Sequence, residues 1–154
     1  MSDQLTIREA IPDDSEMLIG FLNRVSDQSD FIEHDSIKNL SVEQERESLD
    51  EIYESELDEL MIAIFENQII GFSRLEKIDK ASSEFGIVVD KDFWHQGIGS
   101  YLTEEMLEWS KSAPIKKVTL EVYKNNPAAI QLYKKYGFTT RSRSKKTQIM
   151  EKMV

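Results

Sequence analysis

The segment Trp94-His95-Gln96-Gly97-Ile98-Gly99-Ser100 stands between an apolar run and a stretch of helical periodicity. Glycines at such a junction let successive backbone N–H groups turn toward one point, and a helix starting there adds partial positive charge. That arrangement holds a phosphate or pyrophosphate without cationic side chains. The same glycine pair also serves ordinary tight connections, so alone it specifies little. It is not a dinucleotide fingerprint, which needs a third glycine within a β-α-β unit, and no Gly-Lys-Ser/Thr follows as in a Walker loop. Three further side chains can handle protons. Glu121 interrupts an alternating apolar run, where a carboxylate is costly if buried. Glu84 opens the apolar run before the glycine loop. Tyr133 shares a helical face with Ala129, a spacing that equally suits a core aromatic. For both glutamates, an exposed or salt-bridged strand position is the competing explanation. Asn126-Pro127 is explained by helix capping alone. His34 and His95 lack neighbouring ligand partners, so no metal site is expected. The chain contains no cysteine, which excludes disulfides, thiolate metal sites and a cysteine acyl-enzyme.

These groups need elements to position them. Residues 5–10 alternate as a half-buried strand. Pro12 to Ser15 forms a turn opening a helix with apolar Met17, Leu18, Phe21, Leu22 and Val25. A polar stretch over 26–40 precedes a second helix, opened by Ser41 and Gln44 at capping-box spacing and carrying Leu49, Ile52 and Tyr53. Runs 60–65 and 69–75, separated by Glu66-Asn67-Gln68, predict a hairpin, and 85–89 a further strand. Residues 97–110 carry Ile98, Leu102, Met106 and Trp109 on one helical face, and 116–123 alternate as a strand. Residues 127–136 form a short helix ended by Gly137, with closing strands at 138–141 and 147–154. The order β-α-α-β-β-β-α-β-α-β-β predicts an α/β fold, a mixed sheet with helices on both faces. The length of 154 residues, without repeat or linker, fits one domain spanning 1–154.

From Leu120 to Phe138 the chain carries Asn126, Ala129, Ile130, Leu132, Tyr133, Lys135 and Gly137-Phe138 in an Asn-x-x-Ala-Ile-x-Leu-Tyr-x-Lys-x-Gly-Phe pattern. Together with the preceding Gly-x-Gly loop, this resembles the GNAT superfamily of N-acetyltransferases, its ribosomal-protein alanine acetyltransferases among them. The resemblance covers residues 84–138 and implies a mostly antiparallel mixed sheet and acetyl-CoA as co-substrate. It implies that Ile87, Val88 and Val89 pair through their backbone with the pantetheine arm, as an added strand would. Trp94, His95, Gln96, Gly97, Ile98 and Gly99 would hold the pyrophosphate with Ser100 adjoining, Asn126 would contact the cofactor, and Tyr133 would face its sulfur. The family usually carries Gln or Arg where this chain has Trp94. Alanine acetyltransferases of the superfamily place their base where Glu121 stands. Other members place a glutamate near Glu84, at a spacing that a one-residue bulge would restore.

The chemistry so implied is direct acetyl transfer to a primary amine in a ternary complex. A carboxylate removes the ammonium proton, Tyr133 protonates the leaving thiolate, and a main-chain N–H near Val88 polarises the carbonyl. The alternative is a domain that binds acyl-CoA without turnover, as a sensor or adaptor. With 19 Lys and Arg against 29 Asp and Glu the net charge is −10, which disfavours nucleic acid. The basic stretch Arg141, Arg143, Lys145 and Lys146 is expected as a solvated loop. Thirteen Asp or Glu between 27 and 59 suggest a cationic acceptor, a small-molecule or peptide amine. No membrane span or secretory leader is apparent, so a cytoplasmic location is expected, and a homodimer is compatible with this reading.

Overall fold

In the computed structural model, residues 5–26 and 41–154 are described. The elements are β1 (Thr6–Glu9), α1 (Ser15–Val25), α2 (Val42–Glu54), β2 (Glu59–Phe65), β3 (Gln68–Lys77), β4 (Ser82–Val89), α3 (Ile98–Ser112), β5 (Lys117–Tyr123), α4 (Pro127–Lys135), β6 (Thr139–Arg143) and β7 (Thr147–Met153), with short 3-10 turns at Pro12–Asp14 and Lys91–Phe93. The seven strands lie in the order β1-β2-β3-β4-β5-β7-β6. Every pairing is antiparallel except β4 with β5. Among the described residues no helix is long and apolar enough to cross a membrane.

Apolar stripes place the helices on opposite faces. Leu18, Phe21, Leu22 and Val25 of α1 and Leu49 of α2 pack on Leu60, Ile62 and Ile69. Met106 and Leu107 of α3 and Tyr133 of α4 close the other face over Leu75, Phe85, Leu120 and Val122. Met17 and Tyr53, expected in these stripes, are exposed instead, each one position off the row that meets the sheet. Ser41 and Gln44 form the expected capping box. Glu66 and Asn67 both take positive φ, as a two-residue hairpin turn requires.

Three expectations need correction. β4 starts at Ser82 rather than 85. Its first two residues are buried serines, whose burial follows from contacts such as Ser83 Oγ donating to Leu57 O at 2.7 Å. Thr119, on the polar side of the β5 alternation, is also buried, because β4 and β7 flank it. Arg141 and Arg143 belong to the edge strand β6, where charges discourage further pairing, and only Lys145-Lys146 form the turn. His34 and the polar stretch over 27–40 lie outside the described residues.

Glu59 is only 3% exposed and sits beside Glu9. Burial first, then hydrogen bonding to Glu9 and its charge, push the Glu59 carboxyl up to about 8, against the pull of the Leu60 amide. A folded-state value above the unfolded one gives stability that is complete below the ordinary carboxylate range and lost as pH rises through about 8. Glu59→Gln keeps the hydrogen-bonding shape without titrating. Its melting temperature should overtake that of the wild type between pH 5 and 9, by on the order of 2–5 °C, since ~1 kcal/mol moves a domain of this size by ~2–4 °C. Parallel curves across that range would show that Glu59 is not held protonated.

Candidate active site

The parallel contact between β4 and β5 is short. Ser82, Ser83 and Glu84 register with Lys117, Val118 and Thr119, and the strands then separate. Each continues to pair on its other side, β4 with β3 as far as Val89 and β5 with β7 as far as Tyr123. The sheet is therefore split between residues 85–89 and 120–123. Two bonds fix the phase of the β3–β4 ladder: Ile78 N–H donates to Ser82 O at 2.9 Å, and Asp90 N–H to Ile70 O at 2.8 Å. Alternation in an antiparallel ladder then turns the N–H and C=O of Val88 toward β3, and those of Ile87 and Val89 into the split. The main-chain N–H groups near Val88 that face the split are those of Ile87 and Val89.

The loop after β4 is braced at Val89 and Asp90. The Trp94 indole N–H donates to Val89 O at 2.8 Å. The buried Asp90 carboxylate accepts from Asp92 N at 3.0 Å and Arg24 Nε at 3.1 Å, while Arg24 Nη2 donates to Ile69 O at 2.8 Å. Phe93 packs edge-on against Phe65. His95 takes φ of 64° and Gly97 φ of 83°. The left-handed region suits glycine and is uncommon for other residues, although histidine tolerates it better than most. Ile98 is buried and anchors the start of α3. The first bond within α3 runs from Tyr101 N–H to Gly97 O at 3.0 Å, and no side chain caps the helix. The amides of Ile98, Gly99 and Ser100 thus have no intrahelical acceptor. His95, Gln96 and Gly97 are exposed around this end, with Gly99 and Ser100 partly so. A Cβ on Gly99 would only touch Ile87 and Leu132 at 3.5 and 3.6 Å, so Gly97 carries the strict requirement for glycine.

The acid–base candidates divide between the two faces. Leu120 and Val122 point to the α3–α4 side, so Glu121 between them points the other way. Glu84 registers with Thr119 and shares that face, and the β3–β4 ladder contains no bulge. Glu84 stands at the closed end of the split and Glu121 about 6–7 Å further along. Glu121 is exposed, so the cost of burial that singled it out in the sequence does not apply. Its Oε2 accepts from Thr147 Oγ1 at 2.7 Å. Tyr133 lies across the sheet, its ring edge-on to Phe85 at 6.1 Å and to Phe138 at 5.9 Å. It is 7% exposed, and burial raises its phenol to about 12. Ser73 Oγ is the one side-chain polar atom sealed without a partner among the described residues, so the Tyr133 hydroxyl, which has no partner there, keeps access to solvent. Asn126 caps α4, its side chain accepting from Ala129 N at 3.4 Å. That use occupies Oδ1 and leaves the amide NH₂ for other contacts.

Arg24, Asp90 and Thr147 were not singled out in the sequence, where nothing in their local spacing marks them. Among the described residues no His, Cys, Asp and Glu cluster has the makings of a metal site. Two surface depressions, one containing Glu105, Glu108 and Trp109 and the other Glu51, Asp58 and Arg74, lie away from the split. The candidate site is drawn instead from the geometry of strand and loop.

The model of the Acetyltransferase (GNAT) family matches residues 29–138. The chain is 39% identical over 71 residues to the [ribosomal protein bS18]-alanine N-acetyltransferase of Escherichia coli strain K12, covering 46% of this chain and 48% of that one. It spans about half the length of the curated relatives it matches. A GNAT-family acetyltransferase structure from Streptococcus pneumoniae superposes with a TM-score of 0.91 at 30% identity, covering 98% of this chain and 100% of that one. PaiA N-acetyltransferase from Thermoplasma acidophilum, solved with coenzyme A, shares the fold at 21% identity and a TM-score of 0.81, covering 98% and 99%. A family match over residues 29–138, most of the chain, makes this chain a member of the GNAT acetyltransferase family.

Proposed function

We propose that the protein is an acetyl-CoA-dependent N-acetyltransferase acting on a primary amine. The observation that carries this reading is the split between β4 and β5, which runs straight into the uncapped start of α3. An extended pantetheine arm can add to the open edge of β4 through Ile87 N–H, Ile87 C=O and Val89 N–H, flanked by Val88. Val89 C=O is already taken by Trp94. The pyrophosphate then meets the amides of residues 97–100, within the loop formed by Trp94, His95, Gln96, Gly97, Ile98, Gly99 and Ser100, with the amide NH₂ of Asn126 nearby. Helix N-termini favour such anions through free N–H groups and the helix dipole.

With the thioester in the split, the carboxylates lie on one side of the sheet and Tyr133 on the other. The amine nitrogen bonds to the carbonyl carbon as the carbon–sulfur bond breaks. Glu121 takes the ammonium proton beforehand, directly or through water; the sulfur leaves as thiolate, and the second proton, lost from nitrogen as the amide forms, passes to solvent water. An ordinary alkylammonium holds its proton up to ~10, so a base is needed at neutral pH. A phenol near 12 stays protonated and can donate a hydrogen bond to the departing sulfur. Complete transfer to a thiolate of ordinary basicity, ~8.5, is uphill. Tyr133 therefore acts mainly by stabilising developing charge, and Glu121 is preferred to Glu84 because it stands along the open wall of the split.

The acceptor is an amine of cationic character, favoured by the exposed carboxylates of α2, namely Glu43, Glu47, Asp50, Glu51 and Glu54. The C-terminal arm opposes this, since residues 113–154 hold ten Lys or Arg and only Glu121 and Glu151. Charge steering weakens with salt, over a screening length of ~8 Å at physiological ionic strength.

Acetyl-CoA should raise the melting temperature of the wild type by mass action, and Gly97→Val should abolish most of that rise. No shift at millimolar acetyl-CoA would end this reading. Tyr133→Phe should lower turnover on the order of 10–100-fold with little change in acetyl-CoA affinity. An unaltered rate would leave the ring a core aromatic only. Between Glu121→Gln and Glu84→Gln, only the variant of the base should lose the low-pH limb of kcat/KM. For the acceptor, spermidine can be compared with tripeptides beginning in alanine and continuing with two lysines, two alanines or two glutamates. Cationic acceptors should lead, and their advantage should shrink as salt rises; preference for the glutamate peptide would show that the C-terminal arm governs instead.

A further inference from the structure

We infer that Thr147 is a positioning residue for the carboxylate that receives the acceptor's proton, so that the hairpin joining β6 to β7 sets the base. The inference rests on the reading of Glu121 as that base. Thr147 registers with Tyr123 and Glu121 with Ile149, which puts Thr147 diagonally across from Glu121 on the same face of the sheet. An ionised carboxylate only accepts, so at 2.7 Å the Thr147 hydroxyl donates its proton to Glu121 Oε2. With that proton committed, Ser144 is the donor of the 2.9 Å contact to Thr147 Oγ1, its one hydroxyl proton shared with Thr147 O at 3.3 Å. The chain of hydroxyls has one polarity, from Ser144 through Thr147 to Glu121, and it ends on the carboxylate.

The hairpin closes without this bond. Ser144 N–H donates to Thr147 O at 2.8 Å, and Lys124 N–H donates to Lys146 O at 2.9 Å, pinning the turn to the end of β5. The hydroxyl bond adds restraint on Glu121. A glutamate on an exposed strand has three rotatable side-chain bonds and loses considerable freedom when fixed. With Oε2 held by a short, charge-assisted bond, Oε1 is presented for the ammonium proton. Thr147 touches no reacting atom and acts through Glu121.

The test uses Thr147→Val and Thr147→Ser, each in the wild-type chain and in Glu121→Ala, with the best of the amine acceptors above. The Glu121→Ala pair is measured at about pH 9.5, where enough amine is already unprotonated for a residual rate. Thr147→Val should lower kcat/KM for the acceptor by about 3–10-fold, on the scale of one lost hydrogen bond. The KM for acetyl-CoA and the melting temperature should not move, and Thr147→Ser should restore most of the rate. In the Glu121→Ala background Thr147→Val should change nothing further, because coupled residues are not additive. Wild-type activity in Thr147→Val, or an equal loss in both backgrounds, overturns the inference. Wild-type activity of Glu121→Ala at about pH 7, where the amine is protonated, refutes the base assignment instead, and is recognised separately.

Discussion

The pairing of β4 with β5 stops after three residues on each strand, and the candidate site exists because it stops there. A central strand edge left open is ordinarily a liability, since its N–H and C=O groups invite any extended chain to pair. Here both strands are secured on their outer sides, β4 by β3 and β5 by β7, each through seven registered residues. The two arms of the sheet are thus stable without the bonds missing between them. What remains is a slot walled by regular strands, whose free polar groups are spaced for an extended ligand. Sites built on strands in this way are held more rigidly than sites built on loops.

The loop that completes the slot needs bracing, because it contains a non-glycine residue at positive φ. His95 at 64° carries a conformational cost that persists only where surrounding contacts over-determine it. Those contacts converge on two consecutive residues. Val89 C=O receives the Trp94 indole, and Asp90 receives Arg24, whose guanidinium also lies over the Phe21 ring at 5.4 Å. The second set ties the end of α1 to the start of the loop, so that the two faces of the sheet share one anchor. The first set gives a physical sense to the departure at Trp94. A long polar side chain there is replaced by an indole that holds the loop through the backbone and removes one acceptor from the open edge.

Much of this was legible in the sequence. The element order is as the periodicity predicts, and the capping box at Ser41, the turn at Glu66-Asn67 and the stop at Gly137 are where local chemistry places them. What sequence pattern misses has a common cause. Ser82 and Ser83 are strand residues hidden by polar side chains, because their burial depends on neighbours such as Leu57 that are distant in the chain. Arg24 and Asp90 are separated by 66 positions, and Thr147 and Glu121 by 26. Periodicity reports on one element at a time and cannot register a contact between two. Glu121 meets the same limit: alternation defines its face, while its exposure depends on whether a helix covers that face.

The division of the proton-handling groups between the two faces bears on how one slot can serve both halves of the reaction. A base must meet water-borne amines, and Glu121 is exposed on the side where β5 and β7 form an open surface. A group that stabilises a leaving thiolate works best out of water, where its hydrogen bond is not diluted by solvent. The Tyr133 ring meets that condition, boxed by Phe85 and Phe138, while its hydroxyl reaches the solvent edge of the slot, and the burial that raises its phenol to about 12 keeps the proton in place to be offered. Phe85 and Glu84 are consecutive on β4 and point to opposite faces, so the strand whose free N–H groups line the slot also separates the wet side from the dry one. Strand alternation, with a period of two, is enough to build this separation without any additional element.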